Sequence, residues 1–330
     1  MIHEIPSRNW SIYNQAMTKE KFIAFKLISD AVDFMQIPFC YKGNGRPHLD
    51  HSDMLKACIY KVFCNASSRR SIPELHVAKA LGYLNHVPSF NMMTYYTRQE
   101  NMSPYFERLY KILAMPMIDI ENNFAADSTG FSTFAKRRWC EAKLDEVARR
   151  QYVKLHIMSG VLTKVVTSAR VTKGYANDSP FFEQLTKETA ERFLLKQIVA
   201  DAGYLSKRNC EVAEEVGAVP FILPKSNTRK FRIGHGREGI AWRNMIRMFR
   251  ENETYFMEQY HKRSNVESVF SMMKRKFMPY IHAKGTIGQK NELLAKVACH
   301  NASILCNAIF SMNLDINFEG KDNYVIFREG

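Results

Sequence analysis

Five short apolar runs between residues 124 and 223, each closed by a turn former or an acid, constrain this chain more than any other feature. Phe124-Ala-Ala leads into Asp127-Ser-Thr-Gly, read as a strand running into a turn. Tyr152–Met158 and Val161–Val171 are apolar and β-branched, and Ser159-Gly160 between them predicts a hairpin. Gln197-Ile-Val-Ala stops at Asp201-Ala-Gly, and Ala218–Leu223 is a further strand. Asp178–Lys196 has helical character, with Phe182, Leu185, Phe193 and Leu194 as its apolar points, and a short helix is expected before Ala218. Strand, hairpin, helix, strand, helix, strand and then helices predict an α/β fold with a mixed, partly antiparallel sheet.

The first 115 residues have a different texture, and the change comes at Pro116. Leu55, Cys58, Ile59, Val62 and Phe63 follow the i, i+3, i+4, i+7, i+8 spacing of one apolar helix face. Ser71-Ile-Pro-Glu74 has the form of a capping box, opening a helix that ends near Gly82. Pro88-Ser89 is a turn before Thr94, Tyr95, Tyr96 and Arg98. The expected division is an all-helical region over 1–115 followed by a mixed-sheet region over 116–330. Arg69, Arg70, Lys79 and Arg98 on short helices fit a helix-turn-helix-like DNA reader and a plain bundle with solvated basic residues equally well.

Charge narrows the partners. Lys plus Arg is 47 and Asp plus Glu is 33 over 330 residues, giving +14, so a polyanion is the first ligand to consider. The densest basic stretch is 225–250, with Lys225, Arg229, Lys230, Arg232, Arg237, Arg243, Arg247 and Arg250 against Glu238 alone. Gly234, Gly236 and Gly239 suggest a loop or irregular strand there, and clustered cations suit phosphate contact. The seven cysteines include no C-x-x-C pair and are odd in number, which argues against a zinc ribbon or a disulfide framework. The N-terminus has no apolar signal core, and no run of about 18 apolar residues is evident, so a soluble, cytoplasmic protein without a membrane span is expected.

Three acids stand out. Asp127 and Asp201 each end a run of small or apolar residues, and a buried carboxylate is costly unless it is paired or binds a metal. The third lies in Gln259–Phe277, read as one helix. At roughly 100° per residue, Tyr260, Arg263 and Lys274 fall within about 40° of Glu267, on one stripe. Val266, Phe270, Met273 and Phe277 form the adjacent apolar stripe, which can pack on the sheet. Three carboxylates at a sheet edge are a hard-oxygen set for Mg²⁺ or Mn²⁺, and two such ions suit phosphodiester chemistry.

Asp127-Ser-Thr-Gly-Phe, Asp201-Ala-Gly-Tyr and Tyr260-x2-Arg263-x3-Glu267-x6-Lys274 resemble prokaryotic insertion-sequence transposases of the DDE class. The last pattern is similar, residue for residue, to the Tyr-Arg-Glu-Lys signature of one branch. The resemblance runs over about residues 120–310 and takes in Asn291-Glu-Leu-Leu and His300-Asn301. It implies an RNase H-like core of five mixed strands flanked by helices, with a basic insertion at about 224–256. It also implies cut-and-paste transposition of double-stranded DNA, acting on terminal inverted repeats and a target, by a homodimer with two Mg²⁺ or Mn²⁺ ions. Asp127, Asp201 and Glu267 would then be the catalytic metal ligands, and Tyr260, Arg263 and Lys274 would contact DNA. Arg229, Lys230, Arg232, Arg237 and Arg243 would add phosphate contacts, and Trp242 would either stack on a base or pack in the core. Lys136, Trp139, Lys154 and His156 match more weakly. An RNase H-like nuclease without strand transfer, and an inactive DNA-binding remnant, stay open as alternatives.

Overall fold

The apolar runs become strands, and one strand outgrows its apolar part. The computed structural model describes residues 9–38, 49–133, 152–225, 228 and 239–318. Arg229, Lys230, Arg232, Arg237, Lys136 and Trp139 lie outside the described residues. β1 (Asn123–Ser132), β2 (Tyr152–Gly160), β3 (Val166–Lys173), β4 (Gln197–Ala200) and β5 (Val219–Ile222) form one sheet in the order β3-β2-β1-β4-β5. β2 pairs antiparallel with β1 and β3, whereas β4 pairs parallel with β1 and β5, so the sheet is mixed as expected.

Two boundaries differ from the sequence reading. Ser128-Thr-Gly130 is strand and not turn, because β2 supplies a ladder for it, with Ser128 opposite His156 and Gly130 opposite Lys154. The hairpin's second strand begins at Val166, not Val161. Glu121, 1% exposed, holds the intervening residues as a turn. Its Oε2 accepts from the Leu162 and Thr163 amides at 2.9 and 2.8 Å and from the Thr163 hydroxyl at 3.0 Å. Gly160 is required beside it, since a Cβ there would overlap the Glu121 carboxylate.

Helices cover the sheet. α1 (Trp10–Phe34), α2 (His51–Phe63), α3 (Ile72–Ala80), α4 (Phe90–Thr97) and α5 (Ser103–Ala114) precede it, and α6 (Phe182–Ala190) and α7 (Lys207–Glu215) connect strands within it. α8 (Ile240–Glu251), α9 (Glu253–His261), α10 (Ser264–Phe277) and α11 (Thr286–Ser311) follow. The expected face of α2 is inward, with Leu55, Cys58, Ile59 and Phe63 buried and Val62 packed against the core. The capping box does not form. Ser71 Oγ donates to the Ser68 carbonyl at 3.0 Å, and Glu74 pairs with Lys21 of α1 instead. Nor is there a helix-turn-helix here: residues 64–71 and 81–89 separate α2, α3 and α4, longer than the roughly three- to four-residue turn of that motif.

The basic stretch is also more regular than expected. From Ile240 it is α8, entered through Gly239 at φ +67°. Ala241, Met245, Ile246 and Phe249 are its buried face, a helical spacing hidden in the sequence by the arginines between them.

α11 is long enough, and apolar enough on average, to cross a membrane, yet polar residues such as Glu292, Lys296 and Asn301 interrupt it and 83% of its apolar window is buried inside the protein. It packs against α1, α2, α5, α10 and β3. Its buried polar residues tie these elements together. Asn301 Oδ1 accepts from the Val166 amide at 2.9 Å, and its Nδ2 donates to the Val166 and Tyr110 carbonyls at 2.8 and 2.9 Å. Asn291 Nδ2 donates to the Thr97 and Gln99 carbonyls, and its Oδ1 accepts from Ser103. Asn301→Ala leaves the Val166 amide buried and unpaired and opens a cavity, so urea denaturation should show a loss of about 2–4 kcal/mol. A loss below about 0.5 kcal/mol would mean that water or a neighbour takes over these bonds.

Candidate active site

The register of the two central parallel strands places the first two acids. Ala126 of β1 pairs with Ala200 of β4, so Asp127 and Asp201 leave that last rung side by side. β1 continues beyond this point and β4 does not, which opens a notch in the sheet where parallel strands end. Asp201 caps the turn after β4, accepting from the Gly203 amide at 2.7 Å. Gly203 belongs there because a Cβ would stand 2.8 Å from Asp201 Oδ1. Asp127 Oδ1 accepts from the Ser128 amide at 2.8 Å.

The third acid arrives on α10, which packs on β1. Its apolar stripe is inward as predicted, with Val266, Phe270, Met273 and Phe277 buried and Val269 added to them. Its polar stripe meets alternate residues of one face of β1. Arg263 Nη1 reaches Asp127 Oδ2 at 3.2 Å, and Lys274 Nζ donates to Thr129 Oγ1 at 2.6 Å and lies 5.3 Å over the Phe131 ring. Arg263 also pairs with Glu267 one turn on, so a single guanidinium bridges Asp127 and Glu267. Glu267 sits in the first turn of α10, where the helix dipole favours a carboxylate.

Tyr260 is not on this helix. The expected single helix breaks at Lys262-Arg263, and Tyr260 lies in the last turn of α9. Asn265 Nδ2 donates back to the Lys262 carbonyl at 3.0 Å, the kind of local side-chain bond that competes with a continuous helix. Tyr260 stays near the stripe nonetheless, its ring 6.0 Å from the Arg263 guanidinium. Arg243 and Trp242 lie on α8, with Trp242 partly buried against the core, the packing role rather than an open stacking surface.

A fourth carboxylate escaped the sequence reading, which treated Asp178 only as the start of a helix. Its Oδ1 accepts from Ser128 Oγ and pairs with Lys154 Nζ, both at 2.6 Å, and His156 Nδ1 lies 3.2 Å away. Burial opposes its charge, but the contacts from His156, Lys154 and Ser128 outweigh that and hold its pKa down at about 2. Lys154 and His156 alternate on β2, and that period-2 pair of basic side chains was the one available signal. Ser128 and Asp127 point to opposite faces of β1, so this cluster grips β1 directly behind Asp127. The phenol of Tyr204, fully buried, is in electrostatic reach of Asp178, Asp127 and Asp201.

Asp127 behaves oppositely to Asp178. Burial pushes its pKa up to about 6, with Asp201 and Asp178 adding to the rise and the Ser128 amide and Arg263 only partly offsetting it. Its side chain is 16% exposed, so the carboxylate needs more positive charge than Arg263 alone supplies. Among the described residues no three His, Cys, Asp or Glu side chains stand close enough to hold one metal ion, and Arg263 occupies the space between Asp127 and Glu267. The donor set still fits a hard cation: two adjacent aspartates at a strand end, one of them uncompensated, and an exposed glutamate one turn into the facing helix.

The raised pKa gives a stability prediction. The folded protein holds a proton on Asp127 more tightly than the unfolded chain, so stability should fall as pH rises from about 4 through about 6. Asp127→Asn removes that term. The metal-free variant should be more stable than wild type by about 2 kcal/mol above pH 7 and equal to it below about pH 4. Denaturant melts at both pH values test this; an equal stability at pH 8 would mean that Asp127 is not desolvated.

The sequence profile described as a transposase DDE domain matches residues 121–302, more than half of the chain. No curated protein and no solved structure gave a match. The matched segment begins just before β1 and ends within α11, taking in Asp127, Asp201, Glu267 and the elements that carry them. The chain belongs to the transposase DDE domain family, and it is a DDE-type transposase whose substrate is DNA.

Proposed function

We propose that this is a cut-and-paste transposase of a prokaryotic insertion sequence, with Asp127, Asp201 and Glu267 as its catalytic carboxylates. The observation that carries the reading is the paired placement of Asp127 and Asp201 by the β1–β4 register, with Arg263 linking Asp127 to Glu267. The strand order β3-β2-β1-β4-β5 supports an RNase H-like core over 116–330. The Tyr260-x2-Arg263-x3-Glu267-x6-Lys274 spacing supports the Tyr-Arg-Glu-Lys branch. The helices of 1–115 would grip the terminal inverted repeats. A cytoplasmic, nucleoid-associated homodimer without a membrane span is the working form, since two ends have to be processed together.

DDE transposases normally use divalent metal ions, and here Asp127, Asp201 and Glu267 would hold two Mg²⁺ or Mn²⁺. Such ions supply activation of an attacking oxygen and stabilisation of a leaving one. The chain's own residues do the rest. The Asp178 cluster fixes the β1 backbone behind Asp127, so that its carboxylate is aimed before substrate arrives. Arg263 screens Asp127 and Glu267 from one another, and its planar donors would be free for a phosphate when the carboxylates hold cations instead. Lys274 and Tyr260, flanking it along the stripe, would hold the same strand, and the basic residues Arg229, Lys230, Arg232, Arg237 and Arg243 would add phosphate contacts. Cleavage at the end of the element exposes a 3′-hydroxyl, and its attack on target DNA completes strand transfer.

The test uses supercoiled plasmid carrying the element's own ends, with Mg²⁺ or Mn²⁺. Wild type should cut at the ends and give joined products. Glu267→Ala and Asp127→Ala should lose cutting by at least about a thousandfold while keeping DNA binding, and EDTA should abolish cutting by wild type. Cutting that survives in Glu267→Ala sinks the site assignment. Cuts without joining point to a nuclease, and binding without cutting in either metal points to a DNA-binding remnant.

A further inference from the structure

A second basic site stands apart from the acids, where the N-terminal helices meet the loop that follows α10. That loop is locked in place. Lys296 Nζ donates to the Met278 and Tyr280 carbonyls at 3.1 and 2.5 Å. The Glu292 carboxylate accepts from the His282 amide at 3.0 and 3.1 Å and from the Ala283 amide at 2.7 Å. Pro279 and Ile281 pair with Ser132, the last residue of β1, through bonds of 3.1 and 2.8 Å. Gly288 lets Arg98 cross α11 closely: a Cβ there would be 3.1 Å from Arg98 Cγ and 3.3 Å from Ala283 Cβ.

The result is a pocket of about 170 Å³ whose walls include Lys61, Ser67, Ser68, Thr94, Arg98 and His282. Neither Asp nor Glu lines it. Neither Lys61 Nζ nor the Arg98 guanidinium takes a hydrogen bond or ion pair from any described residue. Glu292, the carboxylate beneath the loop, is buried and already holds two amides. Two cations without a described partner line a concave space that no carboxylate enters, with the hydroxyls of Ser67 and Ser68 and the His282 ring on the same walls; the Thr94 and Thr97 hydroxyls there donate to the Phe90 and Met93 carbonyls. That set of donors recognises a phosphate. The volume is below the roughly 300–1,000 Å³ of small-molecule sites, so one phosphate group fits it better than a whole nucleotide.

We propose that this pocket binds a backbone phosphate of the DNA on which the enzyme acts. The proposal rests on DNA being the substrate and not on the metal-site assignment. The loop that carries His282 and Ala283 is bonded to Ser132, five residues beyond Asp127 on β1, so this wall of the pocket and the first acid are held by one strand. A phosphate held there would set the register of the duplex and read no base.

The experiment measures binding of the full chain to a fluorescently labelled duplex of arbitrary sequence, in EDTA, over a salt series. Lys61→Ala with Arg98→Ala should weaken binding about tenfold near 0.1 M salt and flatten the slope of log K against log salt by about 1. Lys61→Arg with Arg98→Lys should retain most of both. Thermal melts check folding, and single Lys61→Gln and Arg98→Gln variants, each expected to weaken binding about threefold, serve if the double variant is unstable. Unchanged affinity and slope in folded variants overturn the proposal. A parallel arm titrates inorganic phosphate. Phosphate binding that the double variant loses while its DNA affinity and slope stay at wild-type values also overturns it, and makes the pocket a free-anion site. The two readings fail separately: cutting that survives in Glu267→Ala sinks the acid assignment, whereas this metal-free binding series bears on the pocket alone.

Discussion

Everything in this molecule hangs on polar side chains buried along one apolar helix. A buried amide or carboxylate that loses its partner costs more than an apolar contact gains, so each such residue on α11 dictates what packs beside it. Asn301 fixes β3 and α5, Asn291 fixes the chain from α4 to α5, and Glu292 with Lys296 fixes the loop after α10. Lys296 is buried far enough that its pKa falls to about 8, with Glu292 and Cys299 opposing the fall. Non-specific collapse of an all-apolar helix would leave these neighbours free to slide. Hydrogen bonding at defined heights leaves one arrangement, and through the Ser132 pairing that arrangement reaches β1 itself.

β1 converts this scaffold into a site by simple alternation. Asp127, Thr129 and Phe131 meet α10, whereas Ser128 meets Asp178 with Lys154 and His156 close by. One face therefore carries the acid proposed as catalytic, and the other carries the clamp behind it. The two aspartates differ in how tightly they hold a proton for that reason. Asp178 is surrounded by donors and stays ionised, while Asp127 is desolvated beside other carboxylates and wants a cation. Pairs of acids pushed apart in this way are a recurring mark of functional sites.

The sequence was most legible where period and burial coincide. The strands, their mixed pairing and the inward stripe of α10 follow from apolar spacing alone. Legibility failed where a long-range partner decided a local choice. Ser128-Thr-Gly130 has turn chemistry but became strand because β2 lies alongside it. Val161–Val165 has strand chemistry but became turn because Glu121 captures its amides. Ser71 and Glu74 match a capping box, yet Lys21 of α1 competes for the glutamate. Asp178 could not be singled out because its partners lie 22 to 50 residues away, on β1 and β2. The Tyr260 to Lys274 spacing was correct as an alignment of side chains but wrong as one helix, since the break at Lys262-Arg263 redirects the chain without removing Tyr260 from the stripe.

Arg263 shows why the same contact means different things at different depths. As an i, i+4 partner of exposed Glu267 it adds a few tenths of a kcal/mol, like any surface pair. Toward Asp127 its task is larger, because a mostly buried carboxylate with two acidic neighbours has, among the described residues, no other full positive charge in contact. It still falls short, and Asp127 remains proton-hungry. A protein selected for stability alone would replace Asp127 by a neutral residue. Retaining it, and building the Asp178 clamp to hold it still, commits the fold to an unfavourable charge at one point and to rigid support around it. That combination agrees with the proposed role of Asp127 as a ligand for a cation, with Arg263 standing in for that charge and then turned to a phosphate.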